Sequence, residues 1–382
     1  MLVTLSIIMC CGLYLLLLGM KGVLAVLQAR KDAHAEEPFV KLRTLTVLQP
    51  ILSGDEKLER MLESNLLSLP GQCFIWLCDS EDAEAIRVAE KLRAAHPGHQ
   101  IAIVICPDCP DGVNPKVFKL IQASPMVETP YFAVLDDDTH LPTATAADLV
   151  MHAQGAMVST ALPSYRESGG FSGTLLAQFV NNNSAMTYLS LLPFCPPISL
   201  NGMCYVMKTG DIGIFMGITR HLTDDLALAG AVKAAGGVIH QSSLPVFLTT
   251  HVDGFPHYLR MMHRWYLFAL LLVRGQSPAR QVVIFAMYGW HQLLLWVPLV
   301  FLVIRPSLRL AVFTVIVFIV RSFILQLMQA GVFGMPIHRP FASLISELLQ
   351  PLHMIHALVN RRIRWRSRRY RVFASDRFHK DE

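Results

Sequence analysis

Tyr131-Phe132-Ala133-Val134-Leu135 runs directly into Asp136-Asp137-Asp138, and the reading of this junction decides the fold. Five apolar residues, aromatic or branched at most positions and without a helical period, read as a buried β-strand. Three carboxylates cannot continue into the same core, so the strand ends there. The pattern recurs upstream. Residues 73–78 form an apolar run that passes straight into Asp79, with Glu81 and Asp82 close behind. Residues 44–49 read as a strand stopped by Pro50 and the turn Ser53-Gly54-Asp55, and residues 101–106 as another. Residues 58–67 and 83–95 carry helical spacing between these strands. Strands alternating with helices imply βαβ units and a mainly parallel α/β sheet. In such sheets ligands bind beyond the C-terminal ends of the strands, which is where both acidic clusters fall.

Outward from this core the chain becomes apolar. It has 382 residues, 53% of them hydrophobic and only 16% charged, against about 25% charged in a soluble domain. An ordinary soluble protein is thereby excluded. Residues 3–20, continued by 22–27 after the single Lys21, are long enough to span about 30 Å of hydrocarbon. A cleaved signal peptide needs a basic start, but the positive charges come afterwards, at Lys21, Arg30, Lys31, Lys41 and Arg43. Positive charge marks the cytoplasmic side, so the anchor is expected to stay and to point its C-terminal end inward.

Residues 282–304 and 308–328 can each span a bilayer, joined by Arg305-Pro306-Ser307. Residues 341–359 carry Glu347, His353 and His356 and are expected at the membrane interface. A basic tail, residues 361–371, fits anionic headgroups better than nucleic acid. Three spans put this tail and the globular part on the same, cytoplasmic side of an integral, multi-pass membrane protein. The expected divisions are an anchor at 1–28, a globular domain at 40–265, spans within 266–330, and the interfacial segment with its tail at 331–382. The eight cysteines show no disulfide framework, and the lone pair Cys106 and Cys109 is a poor zinc signature.

Three acidic sites carry the candidate chemistry. Asp136 to Asp138 suit a hard divalent cation, Mg²⁺ or Mn²⁺, with Asp136 and Asp138 the candidate ligands. Asp79 is placed to hydrogen-bond a uracil or a ribose; its plainer reading is the N-cap of the helix at 83–95. Asp224 and Asp225 follow Leu222-Thr223 and precede a helical run at 226–235. A carboxylate there suits a general base, while capping by Thr223 or Asp224 is the alternative. His263, Arg264 and Trp265 stand where the globular part meets the apolar segments, as site residues or as an interfacial anchor.

The order of these motifs resembles the ceramide glucosyltransferase family. It runs Asp79, Asn114-Pro115-Lys116, Asp136, Asp225, then Arg264-Trp265. Leu162-Pro163-Ser164-Tyr165, Gly170-Phe171, Asn201-Gly202-Met203-Cys204 and Trp365-Arg366-Ser367-Arg368-Arg369-Tyr370-Arg371 match as well. The resemblance covers residues 46–371. It implies a GT-A-like, inverting, membrane-bound enzyme with a UDP-sugar donor and a lipid acceptor drawn from the bilayer. It makes Asp225 the proton acceptor, with Asp224 beside it in the catalytic pair. Asp79, Asn114, Lys116, Asp136, Arg264 and Trp265 become donor-site residues, and His263 lies on the acceptor side. Two departures stand out. Three aspartates occupy the second site where the family has one followed by small residues, and Met261 occupies the first position of the motif that ends in Arg264-Trp265.

The resemblance implies glucose from UDP-glucose and ceramide as acceptor. A hopanoid or another lipid alcohol, with UDP-GlcNAc or UDP-galactose, is the alternative. A processive polysaccharide synthase needs more spans than three. A transporter or scaffold needs more charges inside its spans than His291 and Arg321.

Overall fold

The computed structural model describes residues 2–33, 42–166, 169–335, 337–365, 368–374 and 377–381. Lys41, Arg366 and Ser367, which belong to the charge and motif readings above, lie outside these residues. The chain opens with α1 (Leu2–Ala33) and continues through β1 (Leu45–Pro50), α2 (Leu58–Ser68), β2 (Cys73–Asp79), α3 (Ala83–Ala95), β3 (Gln100–Cys106), α4 (Pro115–Ala123) and β4 (Tyr131–Leu135). Next come β5 (Thr139–His140), α5 (Thr143–His152), β6 (Val158–Tyr165), α6 (Gly170–Tyr188), β7 (Cys204–Lys208), α7 (Asp224–Ala234) and β8 (Ile239–Leu248). Helices α8 (Gly254–Arg274), α9 (Pro278–Ile284), α10 (Trp296–Ile304), α11 (Leu308–Phe333) and α12 (Pro340–Val359) follow. Strands β9 (Arg362–Trp365), β10 (Arg368–Ala374) and β11 (Arg377–Asp381) close the chain.

Two packing units result. One comprises Asp32–Glu167, Phe194–His251 and Arg362–Glu382; the other comprises Met1–Lys31, Ser168–Pro193 and Val252–Arg361. Residues 40–265, expected as one globular domain, are shared between these units, with α6 and α8 in the second. Helix α6 goes with the second unit because its polar residues find partners there. Gln178 Nε2 donates to the Ile337 carbonyl at 2.8 Å, and Asn182 Nδ2 to Ser343 Oγ at 2.8 Å.

The first unit is built on an eight-stranded sheet in the order β3-β2-β1-β4-β7-β6-β8-β5. Strands β3, β2, β1 and β4 are parallel, β7 runs against both β4 and β6, and β8 is parallel to β6. Side chains alternate between faces along each strand, and here both faces are apolar, as a helix-covered sheet requires. Phe74, Trp76, Ala133 and Leu135 join the core on the α2, α3 and α5 side. Ile75, Leu77, Phe132 and Val134 join the one on the α4 and α7 side. The chain leaves β1 toward β2 and β3 but later returns on its other flank as β4. This reversal opens a crevice at the C-terminal ends of β1, β2 and β4. Strands β9 to β11 form a separate antiparallel sheet.

Among the described residues, three helical stretches are long and apolar enough to cross a membrane, and they belong to the second unit: Thr4–Asp32, Pro278–Ile304 and Leu308–Phe333. The middle one is not a uniform helix. Between α9 and α10 it widens into a π-turn at Phe285–Gly289 and tightens at His291–Leu295. Backbone groups freed in an apolar setting need new partners. Lys21 supplies one, donating to the Met287 carbonyl at 3.2 Å while its Nζ lies 3.0 Å from His291 Nε2.

Arg321, inside α11, is fully buried and donates through Nε to Glu347 Oε2 at 2.7 Å. Tyr14 on α1 donates to the other oxygen of Glu347 at 2.8 Å. Glu347 and His353 suggested an interfacial α12, yet both side chains turn inward. His353 Nε2 lies 3.2 Å from Tyr258 Oη. Their polarity reports internal pairing with other helices of the unit.

Candidate active site

Strand β7 starts opposite the end of β4, with Cys204 facing Leu135. This register lays Asn201-Gly202-Met203 beside the three aspartates, and the Asp136 N–H donates to the Met203 carbonyl at 2.9 Å. The three carboxylates then diverge. Asp136 turns to Lys116, with Oδ1 2.7 Å from Nζ. Asp137 is buried, and its Oδ2 accepts from the Leu52 N–H at 2.8 Å, tying the loop to the end of β1. Asp138 Oδ2 accepts from Thr250 Oγ1 at 2.7 Å, and Tyr165 Oη donates to the same threonine at 2.9 Å.

Asn114 caps α4, its Oδ1 accepting from the N–H groups of Lys116 at 2.9 Å and Val117 at 3.2 Å. Pro115 occupies the first helical turn, where its missing N–H costs nothing. The amide Nδ2 donates to the carbonyls of His221 and Leu222, at 2.9 and 3.0 Å. Asn114 is 0% exposed. Both its hydrogens and its oxygen are engaged, and it joins α4 to the loop that delivers Asp224 and Asp225.

The cap presents Lys116 to three acceptors. Its Nζ donates to the Gly202 carbonyl at 2.7 Å and pairs with Asp136 at 2.7 Å and Asp224 at 3.1 Å. Burial opposes the ammonium charge, but Asp136 and Asp224 together hold its pKa well above the usual lysine value. Burial likewise raises Asp136 to about 6; Lys116 opposes the rise and Asp138 adds to it.

Asp224 and Asp225 form the first turn of α7, where carboxylates complement the helix dipole. The capping reading fails for Thr223, whose side chain makes no cap hydrogen bond. Asp225 is half-buried, and its Oδ1 accepts from the Leu226 N–H at 2.8 Å. Burial and then the charge of Asp224 push its pKa up to about 7. Gly202 makes this placement feasible, because a Cβ there would meet the Asp225 Cβ at 2.8 Å.

Asp79, at the end of β2, does not cap α3. The cap is Asp82, whose Oδ1 accepts from the Ala85 N–H at 3.0 Å. Asp79 instead pairs through Oδ2 with Lys119 Nζ at 3.0 Å. The structure thus brings Asp79, Lys116, Asp136, Asp138, Asp224 and Asp225 to the ends of the sheet within one unit. His263, Arg264 and Trp265 lie on α8 in the other unit. There the His263 ring stands 4.3 Å from that of His356, and Trp265 stacks on Phe179 at 6.0 Å.

The sequence model of glycosyl transferase family 21, the ceramide glucosyltransferase family, matches residues 5–377. The chain belongs to that family. No protein of curated function matches the sequence. Among solved structures, the mannosyltransferase PcManGT from Pyrobaculum calidifontis, in complex with GDP-Man and Mn²⁺, is similar at 12% identity and a TM-score of 0.51; the match covers 92% of this chain and 98% of that one. S. aureus TarS 1–349 with UDP-GlcNAc matches at 11% identity, 88% and 99% coverage and a TM-score of 0.37, too slight a likeness to carry weight. The fold is GT-A-like, and this family-21 protein is a glycosyltransferase.

Among the described residues of the family-21 enzyme, no three His, Cys, Asp or Glu side chains converge as a metal cage. Two carboxylates are what a hard ion needs when a diphosphate and water complete its sphere. Asp136 and Asp138 are the candidates for such an ion, since the charge of Asp138 adds to the burial that disfavours ionised Asp136 and a cation would offset both. Asp137 is committed to the backbone at Leu52.

Sequence reasoning passed over Lys119 and Thr250, and met Gly202 only within the motif Asn201-Gly202-Met203-Cys204. Lys119 left a trace, as a lysine among the buried positions Val117, Leu120 and Ala123 of α4. Thr250 left none, and the motif did not give the role of Gly202, since both roles arise only from neighbours distant in the chain.

Proposed function

We propose that this family-21 enzyme transfers a hexose, foremost glucose from UDP-glucose, to the hydroxyl of a membrane lipid, foremost ceramide. The single observation that carries the reading is the placement of Asp225 in the first turn of α7, against Gly202 and beside Asp224, where burial and the Asp224 charge push its pKa up to about 7. A general base works best when its pKa lies near the operating pH. In this reading Asp225 takes the proton of the acceptor hydroxyl as that oxygen attacks the anomeric carbon opposite the diphosphate, inverting its configuration. Lys116 orders the two acidic sites, fixing Asp136 and Asp224 about one ammonium. Asp136 and Asp138 would hold a divalent cation, as Mn²⁺ accompanies GDP-Man in the similar mannosyltransferase. Such an ion, when bound, would offset the charge of the diphosphate and ease its departure. The parts of Arg264 at the diphosphate, Trp265 at the sugar or lipid and His263 on the acceptor side rest on the family motif. Sugar nucleotides are made in the cytoplasm, so the sheet unit is placed there, with the lipid acceptor reaching it from the bilayer.

The test is to incubate the purified full-length chain with labelled UDP-glucose and vesicles containing ceramide. A labelled glycolipid is expected. Absence of any lipid product with UDP-glucose, UDP-galactose and UDP-GlcNAc alike would defeat the proposal.

A further inference from the structure

Lys119 is not part of the acidic cluster around Lys116. It lies one helical turn further along α4, only 3% exposed, beside the C-terminal ends of β1 and β2. Its ammonium has two acceptors: the Ile51 carbonyl at 2.8 Å, just past β1, and Asp79 Oδ2 at 3.0 Å, at the end of β2. A lysine is seldom this buried without a paired charge, and this one grips a single oxygen of a half-buried carboxylate.

We infer that Lys119 sets which nucleobase the donor site accepts, by occupying one oxygen of Asp79 and leaving the other to the base. This inference rests on the reading of Asp79 as the base-binding carboxylate of a UDP-sugar site. The two candidate bases differ in how many acceptors they require. The pairing edge of uracil offers one N–H between two carbonyls, and a single carboxylate oxygen satisfies it. Guanine offers two adjacent donors, N1–H and the N2 amino group, which match both oxygens of a carboxylate at once. With Lys119 on Oδ2, the second guanine donor meets an oxygen already shared with an ammonium, and two positive hydrogens crowd it. Uracil meets no such conflict. Lys119 is therefore a positioning residue that selects for uracil through Asp79.

A bidentate base contact discriminates by roughly 10- to 100-fold, which sets the size of the expected effect. Binding of UDP and of GDP to the full-length protein in detergent, both with Mn²⁺ present, gives the readout as a ratio of Kd values. The wild type is expected to prefer UDP. Lys119→Met frees Oδ2, so GDP binding tightens relative to UDP and the preference falls by about tenfold or more. The double variant Asp79→Asn with Lys119→Met removes the buried charge along with its partner, and so guards against misfolding of the single variant. An amide again presents one acceptor oxygen, so this pair is expected to keep the preference for UDP. A purely structural ion pair predicts something else: Lys119→Met weakens both nucleotides equally and leaves the ratio unchanged, which overturns the inference while the proposed function stands. Loss of the preference in the double variant overturns it as well. A wild type that binds no UDP removes both the inference and the UDP-sugar reading beneath it.

Discussion

Gly202 and Asp225 sit so close that no side chain fits between them: a Cβ on Gly202 would lie 2.8 Å from the Asp225 Cβ. The carbonyl of the same glycine accepts from Lys116 at 2.7 Å. One residue therefore sets the position of the candidate base and anchors the ammonium that bridges Asp136 and Asp224. Gly202→Ala is expected to push Asp225 away. A displacement of about 1 Å costs on the order of 100-fold in rate. The check is kcat alongside thermal unfolding of the same sample. Turnover within a few-fold of wild type shows that the contact places nothing.

Asp225→Asn removes the base. Loss of a general base costs roughly 100- to 10,000-fold, and UDP binding should survive because Asp225 is not a donor-site residue. The wild-type rate should rise with pH through about 7, since the base acts only when deprotonated and its pKa is raised to about 7. Asp224, Asp136 and Lys116 act on this titration; the carboxylates raise it and the ammonium lowers it. Lys116→Met should therefore move the limb to higher pH. A profile that is flat from pH 6 to 8 speaks against Asp225 as the base.

Asn114→Ala deletes a helix cap and leaves the carbonyls of His221 and Leu222 without their donor. The expected loss of stability is about 1–3 kcal/mol, read from chemical denaturation in detergent. Activity should fall too, because the N-terminus of α4 presents Lys116. An alanine variant as stable and active as wild type refutes the connecting role.

Arg321 and Glu347 are a buried pair, with side chains 0% and 8% exposed. Removing one partner strands the other charge, at a cost of about 3–5 kcal/mol, whereas replacing both by apolar residues is often neutral. Arg321→Met and Glu347→Met should each unfold at lower temperature, and the double variant should recover most of the loss. Additive losses in the double variant would falsify the pairing as a source of stability.

Topology is open to a direct test in a cysteine-free background. Single cysteines replace Ser80 in the sheet unit and Arg305 in the short link between spans; both positions are exposed. An impermeant thiol reagent should label Arg305→Cys in intact cells but Ser80→Cys only after permeabilisation. The reverse pattern inverts the protein and leaves it without a cytoplasmic sugar nucleotide. Ser168, another site open to such labelling by its sequence position, lies outside the described residues.

Much of the fold was legible because its signals are local. The helix at 83–95 and the strand at 131–135 have the limits their apolar periodicity gives, and the apolar lengths of α1 and α11 follow from composition alone. Asp79, Asp136 and Asp225 were legible as candidates because each ends a strand or begins a helix. The break between α9 and α10 was not, because residues 282–304 are apolar enough to read as one span despite His291 and Gln292, and it turns on where Lys21 finds its carbonyl.

The sequence by itself determined the alternation of strands and helices, the three apolar spans and the strand-end carboxylates. Each depends on residues within a few positions of one another, through side-chain period, span length and turn chemistry. Only the tertiary structure decided which carboxylate does what. Asp137 is drawn off by the Leu52 N–H, Asp79 is held by Lys119 rather than capping α3, and Asp136 is joined to Asp224 through Lys116. The reason is physical: a carboxylate takes its role from the cation or N–H that packing brings within about 3 Å. Here those partners lie 20 to 108 residues away along the chain, as Lys116 does from Asp136 and from Asp224, beyond the reach of any local pattern.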